Sequence, residues 1–132
     1  MTMDPSLSLE QRMNHLLPVG TVELNDFDFR GTSMEAMGSP RKLYVADLAV
    51  REDCRRMGVA TALLAAVEAY ATNALYEAIF LHVENHNEAG LKLYTSNGYE
   101  EYKATPHSIN FTETHLQRPA NLYVMLYKKL FL

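Results

Sequence analysis

The sequence predicts a mixed α/β domain, and two strand-to-helix junctions carry that prediction. In each junction an apolar run of strand length ends in a polar turn, and apolar residues at helical spacing follow. The two runs are Leu43–Val50 and Ala78–Val83. A strand followed directly by a helix, twice in succession, is typical of an α/β domain with helices packed on the sheet. The chain of 132 residues is long enough to bury a core, so we expect one domain over residues 19–132 after an N-terminal segment, residues 1–18.

Composition narrows the class of protein. The net charge of −4 argues against a general nucleic-acid surface. No apolar run approaches the roughly 20 residues that cross a bilayer, and the first residues lack a signal-peptide pattern. A single cysteine, Cys54, excludes an internal disulfide, and the histidines do not have a zinc-site spacing, so no metal is expected. We therefore expect an intracellular, cytoplasmic protein without a membrane partner, although an organelle stays open.

The first half is expected to contribute two strands and one long helix. Alternation of apolar residues indicates the first strand, and a stretch with glycine and proline but no periodicity indicates the loop after it. The helix has its predicted core face at Val59, Leu63, Ala66, Val67 and Tyr70. In order, we predict an N-terminal segment that is frayed or forms a short helix near Ser8–Leu17, a strand Val19–Leu24 that Asn25–Phe29 continues or ends in a turn, a loop Gly31–Lys42, the strand Leu43–Val50 and the helix Val59–Asn73.

The second half is expected to add one further helix and three strands. Asn87 is a good N-cap, and Asn97-Gly98 is a typical helix end. In order, we predict a strand Ala78–Val83, a helix Glu88–Ser96, a strand Tyr99–Tyr102, an irregular loop His107–Pro119 and a closing strand Leu122–Leu130. The predicted order is therefore β-β-α-β-α-β-β.

The turn between Leu43–Val50 and the first long helix has the composition of a phosphate-binding loop. It reads Arg55-Arg56-Met57-Gly58-Val59-Ala60, which fits the pattern R/Q-x-x-G-x-G/A. The N–H groups of a helix N-terminus favour an anion, and the small residues Gly58 and Ala60 leave room for one. A glycine that simply starts a helix explains the same six residues equally well.

A second motif, at the other junction, favours the phosphate-binding loop over a plain helix start. Asn87 is followed by Leu93-Tyr94-Thr95-Ser96-Asn97-Gly98-Tyr99. Taken alone, Asn87 is more often a plain N-cap and Tyr94 a core aromatic. Both motifs in this order, each at a strand-to-helix junction, resemble the signature of the GNAT superfamily of N-acetyltransferases. The resemblance spans residues 19–130, and its specific motifs lie within Leu43–Tyr99.

The resemblance implies a GNAT-like mixed central sheet with helices on both faces, and acetyl-CoA as co-substrate. Asn87 would contact the pantetheine or pack beside it, and Tyr94 would project towards the thioester and protonate the departing thiolate. Backbone N–H groups of the turn would hold the pyrophosphate, and the end of the preceding strand would polarise the acetyl carbonyl. The cofactor-binding residues implied in this way are Leu48, Ala49, Val50, Arg55, Arg56, Met57, Gly58, Val59, Ala60, Asn87 and Tyr94.

Two further side chains, Tyr44 and His82, lie on the two predicted parallel strands. In protein N-terminal acetyltransferases similar to this chain, such a pair faces the gap between the strands and relays a proton through water. Imidazole suits that role because its ordinary pKa is near neutrality. A tyrosine packed in the sheet and a core histidine with satisfied hydrogen bonds are the structural alternative. The direction in which each side chain points depends on a β-bulge that the sequence does not locate.

The N-terminus departs from the family pattern. GNAT domains usually carry a strand, two helices and a second strand before the position of Val19, and only 18 residues precede it. We therefore expect most of this unit to be lacking, or a second chain in a homodimer to supply that wall of the acceptor site. Acetyl transfer to a protein N-terminus or a lysine is favoured. A small-amine acetyltransferase, a non-catalytic acyl-CoA-binding or regulatory module, and a structural domain that binds nothing are the alternatives.

Overall fold

The structure, a computed structural model, describes residues 20–28, 41–56 and 58–130. Within these residues the strands are β1 (Gly20–Asp28), β2 (Arg41–Val50), β3 (Ala78–Glu84), β4 (Glu100–Glu101) and β5 (Tyr123–Lys129). They form one mixed five-stranded sheet in the order β1-β2-β3-β5-β4. Only β2 and β3 run parallel, and the other neighbouring strands pair antiparallel. The two strands with the best sequence signal are therefore neighbours at the centre of the sheet.

Three α-helices connect these strands in the described part of the chain. They are α1 (Val59–Asn73), α2 (Glu88–Ser96) and α3 (Pro106–Leu116), and short 3-10 helices occupy Glu52–Cys54 and Ala120–Leu122. The bounds of α1 and α2 agree with the prediction. Among the described helices, none has the length and apolar character that a bilayer crossing would require.

The two faces of the sheet carry different cores. Alternate residues of β2 and β3, such as Val45 and Leu81, pack with α1 and α2 into an aliphatic cluster on one face. The intervening residues Tyr44 and Phe80 form a cluster with Met125 on the other face, where Phe111 of α3 packs against them. Helices therefore lie on both faces, as predicted, and the aromatic face is the one that α3 covers.

A β-bulge in β2 decides which side chains point to which face. Two consecutive residues of β1 oppose Val45 and Asp47, so Ala46 is the additional residue of the bulge. A bulge shifts the alternation of side chains by one, and for that reason Leu48 packs against the same aliphatic cluster as Val45. Tyr44, before the bulge, keeps its place on the aromatic face.

The parallel strands separate beyond the bulge. Their pairing ends at Val45 and Leu81, whereas the strands themselves continue to Val50 and Glu84. Beyond Val45, the backbone N–H groups on the edge of β2 that faces β3 therefore have no partner strand among the described residues. Such groups can donate a hydrogen bond to an acceptor outside the sheet. The gap between the strands opens at the ends from which α1 and α2 depart, which is the usual position of ligand sites in open α/β sheets.

The predicted loop His107–Pro119 is wrong, because the greater part of it is helix α3. Thr105 caps this helix: its side chain accepts from the Ser108 N–H at 3.1 Å, and the Ser108 hydroxyl accepts from the Thr105 N–H at 2.8 Å. Pro106 occupies the first turn, where its missing N–H costs nothing. Threonine followed by proline was the signal for a helix start, and we interpreted that proline as a break.

Smaller differences concern the ends of elements and one helical face. Strand β1 continues to Asp28, so the residues after Leu24, for which the sequence allowed either a strand or a turn, form strand. Strand β4 is shorter than the predicted strand Tyr99–Tyr102. In α1 the buried residues are Leu64, Val67 and Ala71, whereas Ala66 and Tyr70 of the predicted core face are exposed. The predicted helix Ser8–Leu17 and residues 31–40 of the predicted loop lie outside the described residues, while the last two residues of that loop belong to β2.

Candidate active site

Two clefts meet at the gap between β2 and β3. The first, which we name the turn cleft, has a volume of about 680 Å³ and lies between the end of β2, the turn before α1 and the start of α2. The second, the strand cleft, has a volume of about 320 Å³ and lies between the separated strands. Leu48 and Asn87 line both clefts, so the two adjoin at these residues.

The turn cleft contains most of the residues predicted to bind the cofactor. Those present are Leu48, Ala49, Val50, Arg55, Arg56, Gly58, Val59, Ala60 and Asn87. Met57 lies outside the described residues. Tyr94 lines the strand cleft together with Tyr44 and His82. The structure thus brings the predicted residues together in two adjoining groups.

The turn before α1 has the backbone of an anion site. Arg56 has φ of 64° and Gly58 has φ of 77°, both in the left-handed region that favours glycine. A Cβ built on Gly58 would meet no atom within 4 Å, so the space beside it is open. The N–H groups of the first helical turn have no intrahelical acceptor, and no acidic side chain occupies that turn of α1. Such a helix start favours an anion.

Arginines flank this helix start. The Arg55 Nε donates to the Val50 carbonyl oxygen at 3.2 Å, which ties the turn to the end of β2 and leaves the rest of the guanidinium exposed. Arg56 is also exposed at the rim of the cleft. Two cations beside a helix N-terminus add to the attraction for a phosphate-bearing ligand.

Asn87 has the role of an N-cap in this structure. Its Oδ1 accepts from the Gly90 N–H at 2.9 Å, which satisfies one N–H at the start of α2. The side chain is nevertheless exposed and lines both clefts. Capping α2 and facing the junction of the clefts are therefore compatible.

Tyr44 and His82 are hydrogen bonded to each other. The Tyr44 Oη lies 2.7 Å from the His82 Nδ1, and the His82 Nε2 lies 2.7 Å from the Thr112 Oγ1 of α3. Burial first, and repulsion by His115 second, lower the pKa of His82 to about 4. Burial, followed by the negative charge of Asp47, raises the pKa of Tyr44 above its usual range. Both groups are therefore neutral near pH 7.

Tyr94 is a buried tyrosine of α2 that lines the strand cleft. Its ring packs edge-on against Tyr99 at a centroid distance of 5.5 Å. Burial raises the pKa of the Tyr94 hydroxyl, so that it stays protonated and can donate a proton or a hydrogen bond.

Sequence reasoning missed the contributions of α3 and of the start of β5. Thr112 bonds His82, and Tyr123 of β5 lines the strand cleft. A third cleft of about 410 Å³, the helix cleft, lies beneath α3 and shares His82 and Tyr123 with the strand cleft. No motif marked these residues, because α3 itself was predicted as a loop.

A comparison with protein-family models matches residues 9–99 to the acetyltransferase (GNAT) family. Among curated proteins, GCN5-related N-acetyltransferase 4, chloroplastic, from Arabidopsis thaliana is 42% identical over 60 residues, which is 46% of this chain and 21% of that protein.

Solved structures show the same fold. The crystal structure of the NatC complex bound to Gag peptide and CoA has a TM-score of 0.64 at 21% identity, covering 86% of this chain and 62% of that one. Arabidopsis thaliana NAA60 in complex with a bisubstrate analogue has a TM-score of 0.64 at 17% identity, covering 84% of this chain and 64% of that one. This chain spans less than two thirds of the length of each of these proteins.

Proposed function

The chain belongs to the acetyltransferase (GNAT) family, and from that premise we propose that it transfers an acetyl group from acetyl-CoA to the α-amino group of a peptide or protein. The position of the turn cleft beside the strand cleft, with Leu48 and Asn87 lining both, carries this proposal. A phosphate-bearing cofactor that lies in the first cleft would extend its thioester past Leu48 and Asn87 into the second. The amine acceptor would meet the thioester there.

Binding of acetyl-CoA depends on the turn cleft. The N–H groups at the start of α1 would hold the pyrophosphate, with Arg55 and Arg56 beside it. Gly58 leaves open the space that the pyrophosphate needs. Met57, although outside the described residues, belongs to the same proposed loop.

The end of β2 would stabilise the acetyl carbonyl. Beyond the bulge, Leu48, Ala49 and Val50 line the turn cleft, and the strand has separated from β3. An unpaired strand N–H directed at the carbonyl oxygen stabilises the negative charge that develops when an amine attacks. Two CoA-bound or bisubstrate-bound proteins of the same fold support this use of the clefts.

Tyr94 would protonate the thiolate of CoA as it leaves. Replacing Tyr94 with phenylalanine is expected to lower kcat about 10-fold at pH 7 while binding of acetyl-CoA is retained. A thiol has a pKa of about 8.5, so the need for an acid, and with it the defect, should diminish above that pH. Steady-state kinetics from pH 6.5 to 9.5 measure this dependence.

Tyr99→Phe is the matched control for Tyr94→Phe. Tyr99 packs against Tyr94, but its hydroxyl is buried without a hydrogen-bond partner among the described residues. Removing that hydroxyl should leave kcat within twofold of the wild type. A Tyr94→Phe enzyme with wild-type kcat at pH 7 would exclude the acid role.

The weak basicity of His82 favours an α-amine over a lysine. The amine must lose its proton before it attacks, and an imidazole with a pKa of about 4 is a poor acceptor for it. Near pH 7.5, about one third of α-amino groups are already neutral, against about one in a thousand lysine amines. Tyr44 then needs only to accept a hydrogen bond from the neutral amine, and the proton that the nitrogen loses after it attacks the thioester carbonyl passes to solvent.

The acceptor chain would lie in the helix cleft. That cleft shares His82 and Tyr123 with the strand cleft, so a peptide in it would present its amine beside Tyr44. Ile109 of α3 lines the helix cleft and is 42% exposed. An Ile109→Trp side chain would occupy part of this space, and the KM for peptide should rise about 5- to 10-fold, which corresponds to roughly 1 kcal/mol.

Kinetics with a peptide as the varied substrate test that route. The KM for acetyl-CoA and the kcat of Ile109→Trp should stay close to wild type, because Ile109 lines neither of the other clefts. Leu75→Trp, at a position that is 77% exposed and lines none of the three clefts, is the control. Unchanged peptide KM in Ile109→Trp would place the acceptor elsewhere.

Calorimetry with acetyl-CoA, followed by acetyl transfer to a panel of amines, tests the function as a whole. We expect binding, and faster transfer to peptide α-amines than to a peptide whose only amine is a lysine. Faster transfer to small amines would identify a small-amine acetyltransferase. Binding without transfer to any amine would identify a non-catalytic acyl-CoA-binding or regulatory module. The absence of acetyl-CoA binding would exclude both an acetyltransferase and an acyl-CoA-binding module.

A further inference from the structure

Helix α3 is held firmly against the aromatic face of the sheet. The capping box between Thr105 and Ser108 satisfies its first N–H groups. Phe111 packs against Phe80 and Tyr44 at centroid distances of 5.7 and 6.1 Å. The next residue, Thr112, is 4% exposed and faces His82. A polar side chain buried on a helix docked in this way has a defined position.

The hydrogen bonds of Thr112 have only one consistent direction. Its hydroxyl has a single proton, and that proton is donated to the Ser108 carbonyl oxygen at 2.8 Å. The Thr112 oxygen must therefore accept in its 2.7 Å contact with the His82 Nε2, which carries a proton as a result. In neutral imidazole the other nitrogen is then an acceptor. The His82 Nδ1 accordingly accepts the hydroxyl proton of Tyr44 at 2.7 Å.

We propose that Thr112 is a positioning residue that holds His82 in the Nε2–H tautomer and thereby turns the lone pairs of the Tyr44 oxygen toward the acceptor amine. The proposal rests on the proposed acetyl transfer only in its last step. The chain of donors runs in one direction, from Tyr44 to His82, from His82 to Thr112 and from Thr112 to the Ser108 carbonyl. Each proton on it has an acceptor, so the order is self-consistent.

The opposite tautomer would disable Tyr44 as an acceptor for the amine. A proton on the His82 Nδ1 would be donated to the Tyr44 oxygen, and the Tyr44 hydroxyl would have to point into the strand cleft. A hydroxyl directed at the incoming neutral amine would donate to the nitrogen lone pair, which could then no longer attack the thioester. Without the Thr112 oxygen, the buried Nε2–H also loses its acceptor, which favours that opposite tautomer.

The experiment measures the tautomer directly as well as the rate. Two-bond ¹H–¹⁵N correlation spectra of the ¹⁵N-histidine-labelled full chain report which ring nitrogen carries the proton, and His82→Gln assigns the signal among the five histidines. We expect the Nε2–H tautomer in the wild type and loss of its dominance in Thr112→Val. In the same variant kcat should fall about 10- to 100-fold, with the KM for acetyl-CoA unchanged.

Two further variants separate this role from a general effect on α3. Thr112→Ser keeps the hydroxyl and should restore both the tautomer and kcat to within about threefold of wild type. Thr72→Val removes an exposed hydroxyl that donates to the Glu68 carbonyl oxygen of its own helix, α1, at 2.8 Å. This variant should change neither the tautomer of His82 nor kcat. Thr112→Val differs from both in removing the acceptor of His82.

Failure of this proposal is distinguishable from failure of the proposed function. A wild-type protein with its His82 proton on Nδ1 overturns the proposal without any variant, even if Thr112→Val does not fold. A Thr112→Val protein with the wild-type tautomer and kcat overturns it as well. If no amine is acetylated, the proposed function fails, while the spectra still decide whether Thr112 sets the tautomer.

Discussion

Replacing Tyr44 with phenylalanine is expected to lower kcat about 100-fold at pH 7. The change removes the oxygen that would accept a hydrogen bond from the attacking amine and leaves the His82 Nδ1 without its donor at 2.7 Å. Tyr44 does not line the turn cleft, so the KM for acetyl-CoA should remain near wild type. The ring stays, and its packing against Phe80 and Phe111 should keep the variant folded.

The pH dependence sharpens this expectation. Because burial raises the pKa of Tyr44 above its usual range, the wild-type tyrosine should not ionise as pH rises from 6 to 9.5. In the wild type and in Tyr44→Phe alike, the rate should increase with pH as solution supplies more neutral amine, up to the α-amine pKa of about 8. The defect should therefore stay about constant from pH 6 to 9.5.

Tyr123→Phe provides the matched control in the same cleft. Tyr123 lines the strand cleft, but its hydroxyl accepts from the Arg118 guanidinium at 3.2 Å. Steady-state kinetics at five pH values should show a kcat within about threefold of wild type for this variant. Equal kcat in Tyr44→Phe and Tyr123→Phe would contradict a special role for Tyr44.

Gly58→Val should weaken binding of acetyl-CoA by about 10- to 100-fold. A β-branched residue at φ of 77° is strained by roughly 1 to 2 kcal/mol, so the turn would relax away from the conformation that directs its N–H groups at the pyrophosphate. The added side chain would also enter the open space beside Gly58 in the turn cleft. Calorimetric titration with acetyl-CoA measures the change in Kd.

Gly98→Val separates backbone strain from loss of the site. Gly98 has φ of 92° after the end of α2, and the nearest neighbour of a Cβ there would be the Lys128 side chain, at 3.5 Å. Both valine variants should lose a similar free energy of unfolding in urea, but Gly98→Val should bind acetyl-CoA within twofold of wild type. Similar Kd values for the two variants would mean that Gly58 does not contribute to the cofactor site.

Local patterns were sufficient for the elements that bind the cofactor. Helix α1 begins after Gly58 and α2 begins after Asn87 as predicted, because a left-handed glycine and an N-cap are properties of a few adjacent residues. The same short spacing identifies the turn between β2 and α1. The residues proposed to hold acetyl-CoA could therefore be selected from the sequence.

Long-range contacts decided how the residues proposed to act on the acceptor amine are arranged. Tyr44 faces His82 while Leu48 lies on the opposite face of the sheet because of the bulge at Ala46, which forms where β2 pairs with β1 and has no signal in the residues of β2 alone. Helix α3 is stabilised by packing of Phe111 against the aromatic cluster, a long-range contact that its own residues do not reveal. Because Pro106 was interpreted as a break, the segment was predicted as a loop.

By itself, then, the sequence determined the mixed α/β fold, the turn before α1 and the family resemblance that pointed to acetyl-CoA. Only the tertiary structure decided that Thr112 bonds His82 across 30 residues of chain and that Tyr44 bonds His82 across 38. The physical reason is the range of the interactions. Caps and turns are set by neighbouring residues, whereas a bulge, a docked helix and a hydrogen-bond chain arise only when distant segments pack together.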